Sequence, residues 1–157
     1  MNFSFNTQDI SLTKKITAGL SILVLVVSFT QPAFFIDRQD YDAWANSLML
    51  FFFGWSFFLG GSTESLIWSA NPIYIFSLFL YLKNNRLSAI PGAVALVMAI
   101  GFSFFDTIMT SESGETSKIT SFELGYKLWI LSFAILFAGA VFDAIWRFRN
   151  QALKDKI

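Results

Sequence analysis

Residues 87–105 read LSAIPGAVALVMAIGFSFF, a run that contains no charged side chain. A helix rises about 1.5 Å per residue and the hydrocarbon core of a bilayer is about 30 Å thick, so roughly 20 apolar residues are needed to cross it. A run of this length and composition therefore predicts a transmembrane helix.

Other uncharged runs in the chain reach a similar length. They cover residues 16–36, 43–63 and 65–82, and a shorter run covers residues 128–142. The shorter run becomes long enough to cross once Asp143 is included, because Arg147 follows that carboxylate one helical turn later. The alternative is a soluble helical protein with these runs in its core, but the remaining residues do not supply an amphipathic surface to cover them.

The composition agrees with a membrane protein. Of 157 residues, 55% are hydrophobic and 14% are charged, and eleven basic residues balance eleven acidic ones, whereas soluble domains carry about 25% charged residues. The lack of histidine and cysteine excludes the usual catalytic triads, disulfides, iron–sulfur clusters and ordinary zinc sites. We therefore expect a protein that is not an enzyme and holds no cofactor or metal, and its charge pattern excludes nucleic acid as a partner.

Two topologies compete under the rule that basic residues favour the cytoplasmic side. In the preferred one, residues 16–36, 65–82, 87–105 and 121–146 cross the membrane, and residues 43–61 form an interfacial or re-entrant helix. Eight basic residues are then inside and three are outside. In the alternative, five transmembrane helices cross with the N-terminus outside, which gives seven inside and four outside.

The segment 43–61 is the weakest candidate for crossing because its apolar centre, residues 48–59, is too short and its glycines disfavour a straight helix. The preferred fold is thus an all-α polytopic membrane bundle over residues 1–157, in one integral membrane domain. Residues 1–15 form the N-terminal segment, residues 106–120 an external loop and residues 147–157 a cytoplasmic tail. The run at 16–36 is expected to be an uncleaved signal anchor, because no small-x-small cleavage site follows it.

Asn71-Pro72 is the most informative polar feature within a predicted span. Pro72 cannot donate a backbone hydrogen bond to the carbonyl of Trp68, so the helix should bend or open there, and the Asn71 amide could satisfy the carbonyl. A kink is one interpretation, and a hydrogen bond from Asn71 that joins helices is another. The sharper interpretation is a small polar site or helix break formed by Glu64, Trp68, Asn71 and Pro72, which faces segment 43–61.

The last helix is expected to begin near Thr120, because Thr120-Ser121-Phe122-Glu123 has the spacing of a capping box. Small residues recur four apart along it, at Ala134 and Ala138 and at Ala140 and Ala144. Such pairs allow helices to approach closely, so this face would pack against helix 87–105 or form a homo-oligomer. Glu64 and Asp106 are the only acidic pair that could serve catalysis. The position of Glu64 is better explained by its attraction to the positive end of a helix dipole.

The order Gly54-Trp55 followed by Trp68-Ser69-Ala70-Asn71-Pro72 resembles a pattern of uncharacterised small bacterial polytopic inner-membrane proteins. In that pattern a Gly-Trp element precedes a Trp-x-Ala-Asn-Pro element that opens the next span, and the likeness covers roughly residues 30–105. The resemblance implies a bacterial inner membrane and a shared structural role for Trp68–Pro72, and it implies no activity.

These features predict a multi-pass protein of the bacterial inner membrane with a cytoplasmic C-terminus. We expect a non-enzymatic accessory subunit or interaction protein, for example of the bacteriocin-immunity type, whose partners are the lipid bilayer and a membrane protein. The alternative is a small channel or transporter component that uses the Asn71-Pro72 break, because transporter sites favour interrupted helices.

Overall fold

The chain is mostly helical and carries a small β-sheet at one end of a helix bundle. A computed structural model describes residues 7–37, 46–55, 64–110 and 114–154. The elements are α1 (Thr7–Ser28), β1 (Phe34–Ile36), α2 (Ser47–Phe53), α3 (Glu64–Trp68), α4 (Ala70–Leu82), α5 (Ala89–Gly101), β2 (Thr107–Met109), β3 (Thr116–Phe122) and α6 (Leu124–Lys154). Single 3-10 turns at Arg86–Ser88 and Phe102–Phe104 extend α5 at both ends.

The three-stranded sheet corrects the expectation of an all-α chain with an external loop over residues 106–120. β3 is the central strand and pairs antiparallel with β1 on one side and β2 on the other. Its side chains alternate in burial, with Ser117 and Ile119 inward, and its β-branched residues suit a pleated strand. Gly114, at φ +88°, lies just before β3 in a conformation that favours glycine.

The predicted capping box at Thr120 is wrong for the same reason. Thr120 and Ser121 belong to β3, where Ser121 is the register partner of Phe35 in β1. α6 begins at Leu124. The Glu123 N–H, one residue earlier, donates to the Ala33 carbonyl at 2.8 Å, so a long-range backbone bond replaces the local cap.

The first helix also differs from the predicted span 16–36. α1 already begins at Thr7 and ends at Ser28, and the chain leaves it through tight turns before β1. Pro32 explains the end, because it lacks an N–H and disfavours helix in the residue before it. Lys14 lies within α1 and not before it, because its side chain has partners inside the bundle.

Within the described residues, two helices are long and apolar enough to cross a membrane, Arg86–Phe104 and Leu124–Gln151. Only 28% of each apolar window is buried, whereas the core helix of a soluble protein would be mostly buried. The apolar helix Leu66–Leu82 is shorter. α2 has seven residues and is about 10 Å long, too short to cross, and residues 56–63 of the predicted segment 43–61 lie outside the described range.

The long helices alternate in direction and define two ends of the bundle. α1 and α6 are antiparallel, because Lys14 contacts Asp143 at one end while the Ser28–Pro32 turn lies against Gly125 at the other. α4 runs towards the first of these ends and α5 runs back from it. We name the end with Lys14 and Asp143 the charged end, and the end with the three strands the sheet end.

The interior of the bundle is built from small, hydroxyl-bearing and aromatic residues, whereas its outer surface carries large apolar side chains. Fully buried positions include Ala70, Ala95, Ala99, Ser21, Ser77, Ser88 and Ser132, together with Tyr74, Tyr81, Phe133 and Leu136. Exposed positions include Leu20, Leu23, Val26, Ile75, Phe76, Phe79, Val94, Val97, Leu131, Phe142 and Ile145. This distribution is the reverse of the one in a soluble domain.

The α1–α6 contact predicts opposite effects for two helical glycines. A Cβ at Gly139 would lie 2.5 Å from Thr17 Cγ2, whereas a Cβ at Gly19 would meet no atom within 4 Å. Gly139→Ala should lower the free energy of unfolding by about 1–3 kcal/mol through overpacking. Gly19→Ala should raise it by up to about 1 kcal/mol through helix propensity. Thermal unfolding of the purified variants measures both, and equal effects would contradict the packing.

Candidate functional site

The residues of the Gly-Trp and Trp-x-Ala-Asn-Pro pattern meet at the sheet end. Trp68 Nε1 donates to the carbonyl of Phe51 in α2 at 2.8 Å. A Cβ at Gly54 would lie 2.5 Å from Trp68 Cδ1, so only glycine allows the indole to approach so closely. Trp68 therefore ties α2 to the beginning of α4.

The helix break lies at Ser69, between α3 and α4. The Ser69 N–H donates to the Leu66 carbonyl at 3.1 Å, which is the tighter spacing of a 3-10 turn. Pro72 is the third residue of α4, where a backbone N–H would have no partner within the helix. The proline thus occupies a position where its missing donor costs little.

Asn71 joins α4 to α6. It is 5% exposed, and its Oδ1 accepts a hydrogen bond from Trp129 Nε1 at 2.9 Å. Of the two hydrogen-bonding roles that the sequence offers for Asn71, this bond is the one that joins helices. A side-chain bond between helices of this kind is worth about 0.5–2 kcal/mol.

Glu64, the remaining residue of the predicted polar site, opens α3. Its side chain lies outside the described part of the chain, so its contribution to the site stays a prediction. Asp106 is exposed at the sheet end, where its carbonyl accepts a hydrogen bond from the Ile119 N–H. A pairing of the two carboxylates is likewise untested.

A cavity of about 100 Å³ lies between α2, the helix break and the beginning of α6. Its walls are mainly apolar and aromatic, and include Phe51, Trp68, Phe102, Tyr126 and Trp129 together with the polar residue Asn71. The volume is below the roughly 150 Å³ of an apolar protein cavity that holds benzene.

The charged end contains a closed ring of polar side chains from three parts of the chain. Lys14 Nζ and Arg147 Nε both contact Asp143 Oδ2, at 2.7 and 2.9 Å. Asn84 Oδ1 completes the ring by accepting from Lys14 Nζ at 2.8 Å and from Arg147 Nη2 at 2.9 Å. We call these four residues the charged ring. The contact of Asp143 with Arg147 confirms the i,i+4 pair that the sequence predicts.

Asn84 owes its position to the end of α4. It follows Lys83, the C-terminal cap, and has φ +61°, in the left-handed region that asparagine tolerates. The turn directs both its carbonyl and its side chain towards α6, since Arg147 Nη1 donates to the Asn84 carbonyl at 3.2 Å. The turn after α4 is thereby bound to α6.

The charges of the ring are deeply buried. The side chains of Lys14 and Asp143 are 7% and 5% exposed, and that of Arg147 is 28% exposed. The Tyr81 ring lies 5.3 Å from Lys14 Nζ and adds a cation–π contact. Among the described residues, Asp143 Oδ1 has no hydrogen-bond partner. Removing one member of a buried ion pair leaves an uncompensated charge, which is more costly than removing both.

A line of buried hydroxyl groups continues from the charged ring towards the sheet end. Ser21 Oγ donates to the Ser132 carbonyl at 2.7 Å and is 2.6 Å from the hydroxyl of Tyr74. Ser132 in turn donates to the Trp129 carbonyl at 2.7 Å. These bonds connect α1, α4 and α6, so the interior between these helices contains a polar network as well as apolar contacts.

The sequence contained one signal for this network. Lys14, Ser21 and Ser28 are spaced by seven residues and lie on one buried face of α1, which is the helical repeat of an interface. The partners Asn84 and Asp143 carry no comparable signal, because both lie far from Lys14 in the sequence.

Comparison of the chain with protein-family models, with characterised proteins and with solved structures finds no match in any of the three. Its function is therefore inferred from its own geometry, and the resemblance of the Trp68–Pro72 stretch to small bacterial membrane proteins stays a prediction.

The charged ring predicts a specific pattern of stability changes. Asp143→Leu should lower the free energy of unfolding by about 3–5 kcal/mol, because it leaves the ammonium group of Lys14, whose side chain is 7% exposed, buried without a carboxylate. Asp143→Leu with Lys14→Met should lower it by less than Asp143→Leu alone, because the unpaired ammonium group is then absent. Lys15→Met, at the exposed neighbouring position, is the matched control and should change it by less than about 0.5 kcal/mol.

Unfolding of the four variants, namely the two single variants, the double variant and the control Lys15→Met, by denaturant or heat gives the comparison. A double variant that loses as much as the sum of Lys14→Met and Asp143→Leu measured separately would show that the two side chains are not coupled.

Proposed function

We propose that the chain is a polytopic, non-enzymatic protein of a bacterial inner membrane that acts by binding another membrane protein, as an accessory or immunity-type subunit. The observation that carries the membrane part is the outward orientation of large apolar side chains along the bundle. Phe76, Val97 and Phe142, for example, are 55%, 69% and 61% exposed. Water would penalise this surface, whereas lipid hydrocarbon would accept it.

The direction of the helices supports four crossings. α1 starts and α6 finishes at the charged end, so the two termini would share one side of the membrane. Five crossings would put the termini on opposite sides. α2 is confined to the sheet end and is short, which fits an interfacial or re-entrant helix.

The distribution of charge supports a cytoplasmic position for the charged end. Its described side chains are Lys14, Lys15, Lys83, Arg86, Arg147 and Arg149 with the acid Asp143, whereas the sheet end has Asp37, Asp106, Glu115 and Glu123 with Lys118 and Lys127. Basic residues near span ends favour the cytoplasm. The C-terminus would then be cytoplasmic and the sheet external.

Reporter fusions test this topology. A reporter that is active only outside the membrane, inserted at residue 112 between β2 and β3, should be active, and the same reporter at residue 1 or residue 157 should be silent. A cytoplasmic reporter gives the complementary control. External activity at residue 1 with silence at residue 157 would favour five transmembrane helices and contradict the proposal.

The proposal of an interaction role rests on the way the interior charges are used. Lys14 and Asp143 are the most deeply buried ionisable pair in the described bundle, and each is engaged by the other. Such a pair holds α1 and α6 together. The outer surface of α6, in contrast, has a notch at the small residue Ala138, which is exposed between Leu131 and Phe142.

Part of the predicted small-residue face is already used inside the chain. Ala140 is 1% exposed and Gly139 packs against Thr17 of α1. This face of α6 therefore packs against α1 as well as against α5. Ala134 and Ala138 remain more accessible, so a partner helix or a second copy of the chain would pack there.

Capture from native membranes tests the interaction role. Affinity-tagged chain should recover a membrane protein or a second copy, and Ala138→Trp should abolish recovery because the larger side chain fills the notch. Val97→Trp, on the exposed face of α5, is the matched control and should recover the same protein. If nothing is recovered and liposomes with the purified chain leak ions until Asn71→Ala is introduced, the channel or transporter alternative replaces this proposal.

A further inference from the structure

Among the side chains that the structure describes, basic groups outnumber acidic groups at the charged end. In the part of the chain whose side chains the structure describes, Asp143 is the acid of this end, and it contacts Lys14 at 2.7 Å as well as Arg147 at 2.9 Å. One carboxylate thus faces two cations inside the charged ring, which leaves the ring with a net positive charge. Lys15, Lys83, Arg86 and Arg149 are exposed around it.

Arg147 is held in a fixed direction at the rim of the ring. Nε, Nη1 and Nη2 each donate one of the hydrogen bonds described above, to Asp143 and Asn84. A guanidinium has five N–H donors, so two of them are unused by the described residues. Because 28% of the side chain is exposed, Arg147 is both oriented and accessible.

Arg86 is brought to the same face of α6. Its Nη1 donates to Gln151 Oε1 at 2.7 Å, and Gln151 follows Arg147 by one helical turn. Two guanidinium groups therefore lie along one turn of α6, and no described carboxylate lies between them. Neighbouring like charges repel each other, and an anion bound between the two guanidinium groups would reduce this repulsion.

Each arginine of this pair is followed in the sequence by an exposed apolar side chain. Leu87, next to Arg86, is 59% exposed, and Phe148, next to Arg147, is 74% exposed. A soluble phosphate would gain nothing from such neighbours, whereas the acyl chains of a lipid would cover them. We propose that Arg147 and Arg86 bind the phosphodiester headgroup of an anionic phospholipid whose acyl chains lie against Leu87 and Phe148. The inference rests on the proposed membrane location.

The chemistry of the two groups suits this ligand. Guanidinium groups bind phosphate oxygens by paired N–H donors, and basic sites between helices on the cytoplasmic side are suited to anionic lipid headgroups. Within the charged ring, Asn84 and Asp143 act as positioning residues, because they fix Arg147 and would not touch the lipid.

Thermal unfolding of the full chain in a neutral detergent tests the site. Phosphatidylglycerol near saturation should raise the unfolding midpoint by about 5–10 °C. Phosphatidylcholine and inorganic phosphate at the same concentration should raise it by less than a third of that amount. An equal shift with phosphatidylcholine would overturn the requirement for an anionic headgroup, and an equal shift with inorganic phosphate would overturn the lipid as the source.

Charge-conserving variants separate a built site from general attraction. Arg147→Lys keeps the charge but loses the planar fork, so its phosphatidylglycerol shift should fall below half of the wild-type shift. Arg149→Lys, two residues further along α6, is the matched control and should keep the full shift. The shift of each variant is measured from its own unfolding midpoint without lipid, so a change in the stability of the lipid-free protein does not affect the comparison. Equal lipid shifts in the two variants would overturn the proposal.

Arg86→Lys gives a second measurement that leaves the charged ring intact, and it should also lose at least half of the phosphatidylglycerol shift.

Membrane fractionation distinguishes failure of the lipid site from failure of the proposed membrane location. If the chain resists extraction from membranes and the lipid shifts are unspecific, only the lipid site is wrong. If the chain is extracted as a soluble protein, the membrane location and the lipid site are both wrong.

Discussion

The close approach of α1 and α6 is the contact on which the rest of the structure depends. Gly139 lets Thr17 reach the backbone of α6, Ser21 donates to the Ser132 carbonyl, and Lys14 meets Asp143 at the charged end. These contacts recur along one face of α1 and fix an antiparallel register. Since α1 and α6 are the first and last described elements, the same register brings both of their outer ends to one end of the bundle.

The buried ion pair contributes more to this register than to stability. Desolvation of Lys14 and Asp143 offsets much of their attraction, and a well-packed apolar pair could stabilise the helices equally. A shift of α1 by one turn along α6 would carry the ammonium group about 5.4 Å from the carboxylate and leave both buried without each other. We infer that the pair, together with Asn84, excludes such shifted packings, a specificity that interchangeable apolar side chains do not provide.

Local sequence signals predicted the structural features that depend on residues close together in the sequence. The boundaries of the helix at 86–104, the bond of Asp143 with Arg147 and the interruption before Pro72 all follow from charge, spacing or proline chemistry within a few residues. The sheet and the charged ring could not be predicted, because β1 pairs with β3 and Lys14 pairs with Asp143 across most of the chain. The capping-box spacing at Thr120 is misleading, since pairing of this segment with β1 outweighs one side-chain cap.

Glycines in α6 illustrate why pattern alone was insufficient. A glycine within a helix costs about 1 kcal/mol relative to alanine, so Gly125 and Gly139 suggest local weakness. In the bundle a Cβ at Gly125 would lie 2.6 Å from the carbonyl oxygens of Gln31 and Pro32, which are backbone atoms and cannot move aside easily. Gly125 thus allows the turn after α1 to pass over the beginning of α6, and Gly139 allows α1 itself to pack closely further along. The two glycines lower the helix propensity of α6, and they allow α1 and the turn after it to pack closely against α6.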